Sequence, residues 1–185
     1  MESKEQARAK SIAARGKRDA SQLVQEQWGI LSHDWAALCP GEYVTCYVSM
    51  PGEPPTEELR AHLKSIGKTV LLPIMQPKRA LAWGIDDGNL TKNNFGVLEP
   101  KPTDLTPADA SLMIIPALRA GLDGTRLGRG AGYYDRALAA TPSSTNGGPL
   151  RVVLVFDDEL VESVPNEVHD ELMDGVITPS RLHLI

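Results

Sequence analysis

Two short runs are apolar at every position: Leu112-Met113-Ile114-Ile115 and Val152-Val153-Leu154-Val155. A strand with one face in water alternates apolar and polar residues, whereas a run with no polar break is covered on both faces. Strands of that kind belong to parallel sheets sandwiched between helices. The surrounding sequence supplies the rest of the pattern. Residues 4–28 read as a helix on which Lys4, Arg8 and Arg15 share one face, as on a solvated helix. Residues 43–48 read as a strand, broken by Met50-Pro51-Gly52-Glu53-Pro54-Pro55. Thr56 then caps a helix with Glu57 and Glu58 in its first turn, and Gly67 stops it. Residues 68–72 form the next strand, ended by Pro73, and residues 80–85 another. Residues 99–109 are a proline-rich loop, 133–140 a helix, 141–149 a surface loop and 175–178 the last strand. The expected fold is α/β, a single layered domain over residues 1–185 with a mainly parallel sheet flanked by helices, Rossmann-like.

Composition narrows the function. The 185 residues, 42% of them hydrophobic, can bury a core without disulfides or a structural metal. The balance of 19 basic and 24 acidic residues, net charge −5, argues against a nucleic-acid partner held by phosphate charge. No apolar run approaches the roughly 20 residues of a membrane helix, and no apolar leader follows Met1-Glu2-Ser3-Lys4-Glu5. Cys39 and Cys46 belong to no metal spacing and fit a reducing, cytoplasmic setting. No exposed apolar stripe stands out, so a monomer is expected.

The stretch richest in chemistry carries Gly121, Gly124, Gly128, Gly130 and Gly132, and runs from the strand 111–115 into the helix at Tyr133. Glycines let backbone N–H groups approach phosphate oxygens, and a helix N-terminus favours the negative charge. Arg126 and Arg129 add guanidinium donors, and Asp135 stands where a carboxylate could hold Mg²⁺ beside phosphates. The run lacks the Lys-Ser/Thr pair of a phosphate loop, and Tyr133 fills the last glycine position of a G-x-G-x-x-G frame. The competing reading is a tight glycine corner with two surface arginines. His33, His62, His169 and His183 do not cluster, and His169-Asp170 near Asp174 reads alone as a polar loop. Glu53 could orient a substrate, although glutamates in such turns are usually solvated. Tyr47 and Trp83 could stack on a heterocycle or simply pack in the core. No serine or cysteine nucleophile is visible.

The run Gly124-Thr125-Arg126-Leu127-Gly128-Arg129-Gly130-Ala131-Gly132-Tyr133-Tyr134-Asp135-Arg136 resembles the signature of the 5-formyltetrahydrofolate cyclo-ligases, also called methenyltetrahydrofolate synthetases. The resemblance continues in the Lys4/Arg8/Arg15 helix, in Tyr47 to Thr56, in Gly67 to Pro73, in Phe95-Gly96 to Glu99-Pro100, and in Pro165 to Asp170. It implies an enzyme that closes 5-formyltetrahydrofolate to 5,10-methenyltetrahydrofolate with MgATP, yielding ADP and phosphate. By the same resemblance, ATP would meet Lys4, Arg8, Arg126, Leu127, Gly128, Arg129, Gly130, Ala131, Gly132, Tyr133 and Tyr134. The folate would meet Val48 and Glu53 together with Arg129, Gly130, Ala131, Gly132 and Tyr133. Arg129 and Tyr133 would be catalytic, and Asp135 and Asp170 would hold Mg²⁺. The chain departs from many relatives in reading Pro116-Ala117-Leu118-Arg119-Ala120-Gly121 before the signature, and from some in carrying Ala131 instead of lysine. A relative that binds nucleotide or folate without turnover is the alternative those departures leave open.

Overall fold

The computed structural model describes residues 2–167 and 170–185. The chain opens with helices α1 (Lys4–Arg15), α2 (Ala20–Leu31) and α3 (Trp35–Leu38). The helix expected over 4–28 is therefore two. Asp19 accepts from Gln22 N at 2.9 Å while Gln22 Oε1 accepts from Asp19 N at 3.0 Å, a capping box that starts α2. Strand β1 (Tyr43–Thr45) leads to α4 (Glu57–Ser65), and β2 (Thr69–Met75) turns back through residues 76–80 into β3 (Leu81–Ile85). A small ribbon, β4 (Thr91–Lys92) with β5 (Leu98–Glu99), precedes β6 (Leu112–Pro116). Then come β7 (Arg119–Gly121), β8 (Arg126–Leu127), α5 (Tyr133–Ala139), β9 (Leu150–Leu154), β10 (Leu160–Val161), β11 (Gly175–Ile177) and β12 (Leu182–Leu184).

Seven strands form the main sheet in the order β12-β11-β9-β6-β1-β2-β3. β2, β1, β6, β9 and β11 are mutually parallel, and the two edge strands β3 and β12 run antiparallel. The expected parallel α/β sheet is present. Counted along the chain, the parallel strands lie in the order 2-1-3-4-5, a doubly wound arrangement whose switch point falls between β1 and β6. Alternate residues of the apolar runs serve opposite layers. Leu112, Ile114, Val152 and Leu154 pack with Ile30, Trp35, Leu59 and Leu63 on the α2–α4 side. Met113, Ile115, Val153 and Val155 pack with Leu138 of α5 and with Ala120. Each such buried side chain contributes roughly 1.5–3 kcal/mol, which explains why this sequence carries no polar break.

Three further differences from the sequence reading concern the strands. β2 runs through Pro73 to Met75, because the last register pair on its β1 side is Thr45↔Leu71 and the prolyl nitrogen forfeits no ladder bond there. The strand 175–178 is not the last: β12 follows, pairing Ile177 with Leu182. Between β6 and the glycine loop lies a hairpin, β7–β8, which joins β10 in a second three-stranded sheet. Gly121 and Gly124 belong to that hairpin turn, where Gly121 N donates to Thr125 O at 2.8 Å, and so lie outside the loop proper.

α1 is far from a solvated rod. Arg15 is buried and donates bidentately to the buried Glu159, at 2.7 and 2.8 Å, and to Ala117 O at 2.5 Å. Ala7 of the same helix packs with Leu127 and Val164 in a small satellite core. Thr103 N donates to Trp83 O at 2.9 Å, so the 100–103 segment covers the β3 edge. No helix of the described residues is long and apolar enough to cross a membrane.

Candidate active site

Ligands of doubly wound sheets bind beyond the carboxyl ends of the strands at the switch point. In this chain a cavity of about 350 Å³ opens there: Tyr47 and Val48 follow β1, and Pro116 and Ala117 end or follow β6. One wall is apolar, with Met50, Pro73, Met75, Leu81 and Leu98. The facing wall is the loop 128–132 with Arg126, Arg129, Tyr133 and Asp135.

The acidic turn is built by its own side chains. Pro51 and Gly52 (φ +82°) occupy the central positions of a turn closed by Glu53 N donating to Met50 O at 3.0 Å, a type II pattern. Glu53 Oε2 accepts from Met50 N at 2.9 Å, which fixes the carboxylate. Thr56 begins α4, but its hydroxyl makes no cap bond. It donates to Tyr47 O at 2.6 Å and accepts from Ser49 N at 3.1 Å, clamping the turn to the end of β1. Glu53 is buried rather than solvated, and its Oε1 accepts from Arg129 Nε at 2.9 Å.

The glycine loop is cradled by arginines. Arg8 Nε donates to Gly128 O at 3.0 Å. Gly130 takes φ +92°, a backbone conformation that side chains rarely adopt, and a Cβ there would stand 3.1 Å from the Arg8 guanidinium carbon. Arg126 is buried and ion-paired with the half-exposed Asp135. α5 has only seven residues, which leaves backbone amides and guanidinium groups, more than a helix dipole, to receive an anion here.

Around the cavity, three buried polar atoms have no partner among the described residues: Tyr47 Oη, Tyr134 Oη and Arg126 Nε. Burial pushes both phenols well above the ordinary tyrosine value, with Glu53 adding to the shift at each, so both remain protonated donors at neutral pH. Unsatisfied buried donors are costly, and a ligand with acceptor oxygens or nitrogens would satisfy them.

The model of the 5-formyltetrahydrofolate cyclo-ligase family matches residues 1–179. The chain belongs to that family. The cyclo-ligase of Mycolicibacterium smegmatis is 37% identical over 150 residues, which cover 76% of this chain and 75% of the relative. The cyclo-ligase of Escherichia coli is 31% identical over 147 residues, covering 75% and 79% of the two chains. The solved structure of Aquifex aeolicus 5,10-methenyltetrahydrofolate synthetase superposes with a TM-score of 0.82 at 22% identity, covering 98% of this chain and 92% of that one. At that identity the likeness speaks for the fold.

Set in this cyclo-ligase fold, the expected site residues divide into groups. Val48, Glu53, Arg126, Tyr134, Asp135 and the whole loop 128–133 line the cavity. Arg8 reaches the loop from α1. Leu127 does not line the cavity; its side chain is buried in the satellite core with Ala7 and Val164 as a packing group. Lys4 and Asp170 meet one another: Lys4 Nζ donates to Asp170 Oδ2 at 2.6 Å and lies 3.4 Å from Glu167. Asp170 does not line the cavity, and among the described residues no three His, Cys, Asp or Glu side chains gather as a metal cluster. His169 lies outside the described residues. Tyr47, weighed as a core residue, is buried and also forms part of the cavity wall. The sequence reading gives no site role to Met75, which lies beyond the strand read over 68–72, to Leu81, which lies inside the one over 80–85, or to Leu98, which falls within the Phe95-to-Pro100 segment; apolar spacing alone carries no sign of a ligand. The departure at 119–121 is absorbed structurally, since Arg119 Nε donates to Ser11 Oγ at 2.8 Å and pairs with Glu2.

Proposed function

We propose that this cavity carries out the family's reaction, the ATP-dependent closure of 5-formyltetrahydrofolate to 5,10-methenyltetrahydrofolate with release of ADP and phosphate. The observation that carries the reading is the pairing of one apolar wall with one glycine-and-arginine wall at the switch point. The apolar wall suits the flat ring system of a folate, and the opposite wall suits phosphates. In the reaction the formyl oxygen takes the terminal phosphoryl group of ATP. N10 then attacks the activated carbon, phosphate leaves, and N10 loses its proton. Such a sequence needs positioning and charge neutralisation more than a protein nucleophile, which agrees with a wall that offers none.

Placement supports a set of residue roles for this reading. Arg129 and Tyr133, which line the cavity from the loop, would meet the reacting groups, with Arg129 oriented by Glu53. Arg8 stiffens the loop through Gly128. Tyr47 and Tyr134 supply donors to the bound ligands. Mg²⁺ fits the site through Asp135, whose carboxylate is half exposed at the cavity lip, because this ion takes one or two carboxylates and completes its shell with phosphate oxygens and water. When bound it would neutralise phosphate charge. Asp170 then serves by holding Lys4. The reading treats residues 1–185 as one cytoplasmic, monomeric enzyme domain with two small-molecule substrates.

Incubating the chain with 5-formyltetrahydrofolate and MgATP tests it. The methenyl chromophore should appear with one ADP released per product. Binding of both substrates without either signal would assign the chain to a non-catalytic branch.

A further inference from the structure

β2 and β3 end in cavity-lining residues, Met75 and Leu81, and the turn between them carries Lys78 and Arg79, both at φ +60°. Left-handed backbone is uncommon at non-glycine residues and persists where the surroundings over-determine it, often at functional sites. Here the turn is closed by Gln76 N donating to Ala80 O at 2.9 Å and by Ala80 N donating to Pro77 O at 3.4 Å. Its effect is to bring the Arg79 side chain to the glycine loop: a Cβ built on Gly132 would stand 4.0 Å from Arg79 Nη1. α5, which begins at the end of that loop, packs on β3.

The other arginines that touch the loop are engaged: Arg8 with Gly128 O, Arg126 with Asp135, Arg129 with Glu53. Arg79 is exposed and has no hydrogen bond or ion pair among the described residues, nor has its neighbour Lys78. A guanidinium with all its N–H groups uncommitted, set beside a loop suited to anions, is a receptor for a planar oxyanion.

We propose that Arg79 closes over the glycine loop as a substrate contact, binding an oxyanion of a molecule seated in the cavity. The inference rests on the cyclo-ligase reading for the identity of the two substrates. Two oxyanion sources exist there: the polyphosphate of the nucleotide and the glutamate carboxylates of the folate. Lys78 adds positive charge to the same turn.

The test uses the full chain and the variants Arg79→Gln, Arg79→Lys and, as a matched control at the far edge of the sheet, Arg181→Gln. Calorimetry measures ATP and 5-formyltetrahydrofolate (monoglutamyl and polyglutamyl) separately, and steady-state kinetics gives KM for each. Arg79→Gln should weaken one substrate by about tenfold, with unchanged Tm, partial recovery in Arg79→Lys, and a silent Arg181→Gln. A loss confined to ATP assigns the phosphates; a loss confined to the folate and growing with glutamate number assigns the carboxylates. Either result supports the proposal. It is overturned if Arg79→Gln binds both substrates within twofold of the wild type, or if Arg181→Gln weakens them equally. If the wild type binds both substrates but forms no methenyl product, the functional reading fails while the comparison of binding constants still decides Arg79. A wild type that binds neither overturns both.

Discussion

Arg129 Nε donates to Glu53 Oε1 at 2.9 Å, so the glycine loop and the turn after β1 are joined across the cavity by one charge-assisted bond. Glu53 is buried and Arg129 is partly exposed, and that asymmetry decides what each does. The carboxylate is the fixed member, held by Met50 N; the guanidinium is the member that can turn to a ligand.

Arg129→Ala should lower kcat/KM at least about tenfold, equivalent to ~1.4 kcal/mol of transition-state binding. Glu53→Gln should cost less, because Met50 N keeps its acceptor. In the double variant the losses should fall short of additive, since both act through one contact. Wild-type kinetics in Arg129→Ala would remove this arginine from the reaction.

Asp135 and Asp170 separate in a metal titration. Asp135→Asn should raise the Mg²⁺ concentration for half-maximal rate several-fold, as one carboxylate ligand is lost. Asp170→Asn should leave that midpoint in place and raise KM for ATP, because Lys4 loses the nearer of its two carboxylates and keeps Glu167 at 3.4 Å. Equal displacement of the midpoint by both variants would mean that the two carboxylates share the ion.

Ala131 is exposed between Gly130 and Gly132 and lines the cavity. Ala131→Lys should fold normally and tighten ATP by about 1 kcal/mol, roughly fivefold in Kd, because the site is partly solvated. The gain should shrink as salt rises. Unchanged affinity at low salt would show that side chains at 131 point away from the phosphates.

The Arg15–Glu159 pair is buried on both sides. Burial alone would lower the Arg15 pKa; Glu159 outweighs it and holds the pKa above the ordinary value. Glu159→Gln strands a buried cation and should destabilise the fold by about 3–5 kcal/mol. For a chain of this length that is a fall of roughly ten degrees in Tm. Because Arg15 also donates to Ala117 O on the cavity wall, activity should fall before unfolding begins. A Tm within two degrees or so of the wild type would show that the pair is neutral to stability.

Legibility followed range. β6 and β9 could be read because burial on both faces leaves a local trace, four apolar residues in a row. The glycine loop could be read because its backbone requirements select residue type position by position. The α1–α2 break was written in Asp19 and Gln22, yet the polar run on either side masked it. β7, β8 and β12 are two or three residues long, too short for any period to register. The contacts that organise the site were beyond reach for another reason: Arg129 and Glu53 lie 76 residues apart, and Arg8 and Gly128 lie 120 apart. The glycines on either side mark Arg129 as a donor, but nothing local names Glu53 as its partner or Gly128 as that of Arg8. Likewise Arg79 stands next to Lys78 as an ordinary basic pair, and only its backbone conformation separates it from surface charge.

The sheet ends differently on its two sides. Beside β3 the backbone is occupied by the 100–103 segment, packed so closely that a Cβ at Gly84 would lie 2.0 Å from Lys101 O. Beside β12 no further strand pairs among the described residues, and Leu182 and Leu184 are exposed. An uncovered edge of this kind is a template for another extended chain. Aggregation on heating or at high concentration should therefore start from one side of the molecule and propagate by edge pairing at β12. A single charged residue in place of Leu184 would then slow precipitation while leaving the cavity, whose lining includes no residue of β12, untouched.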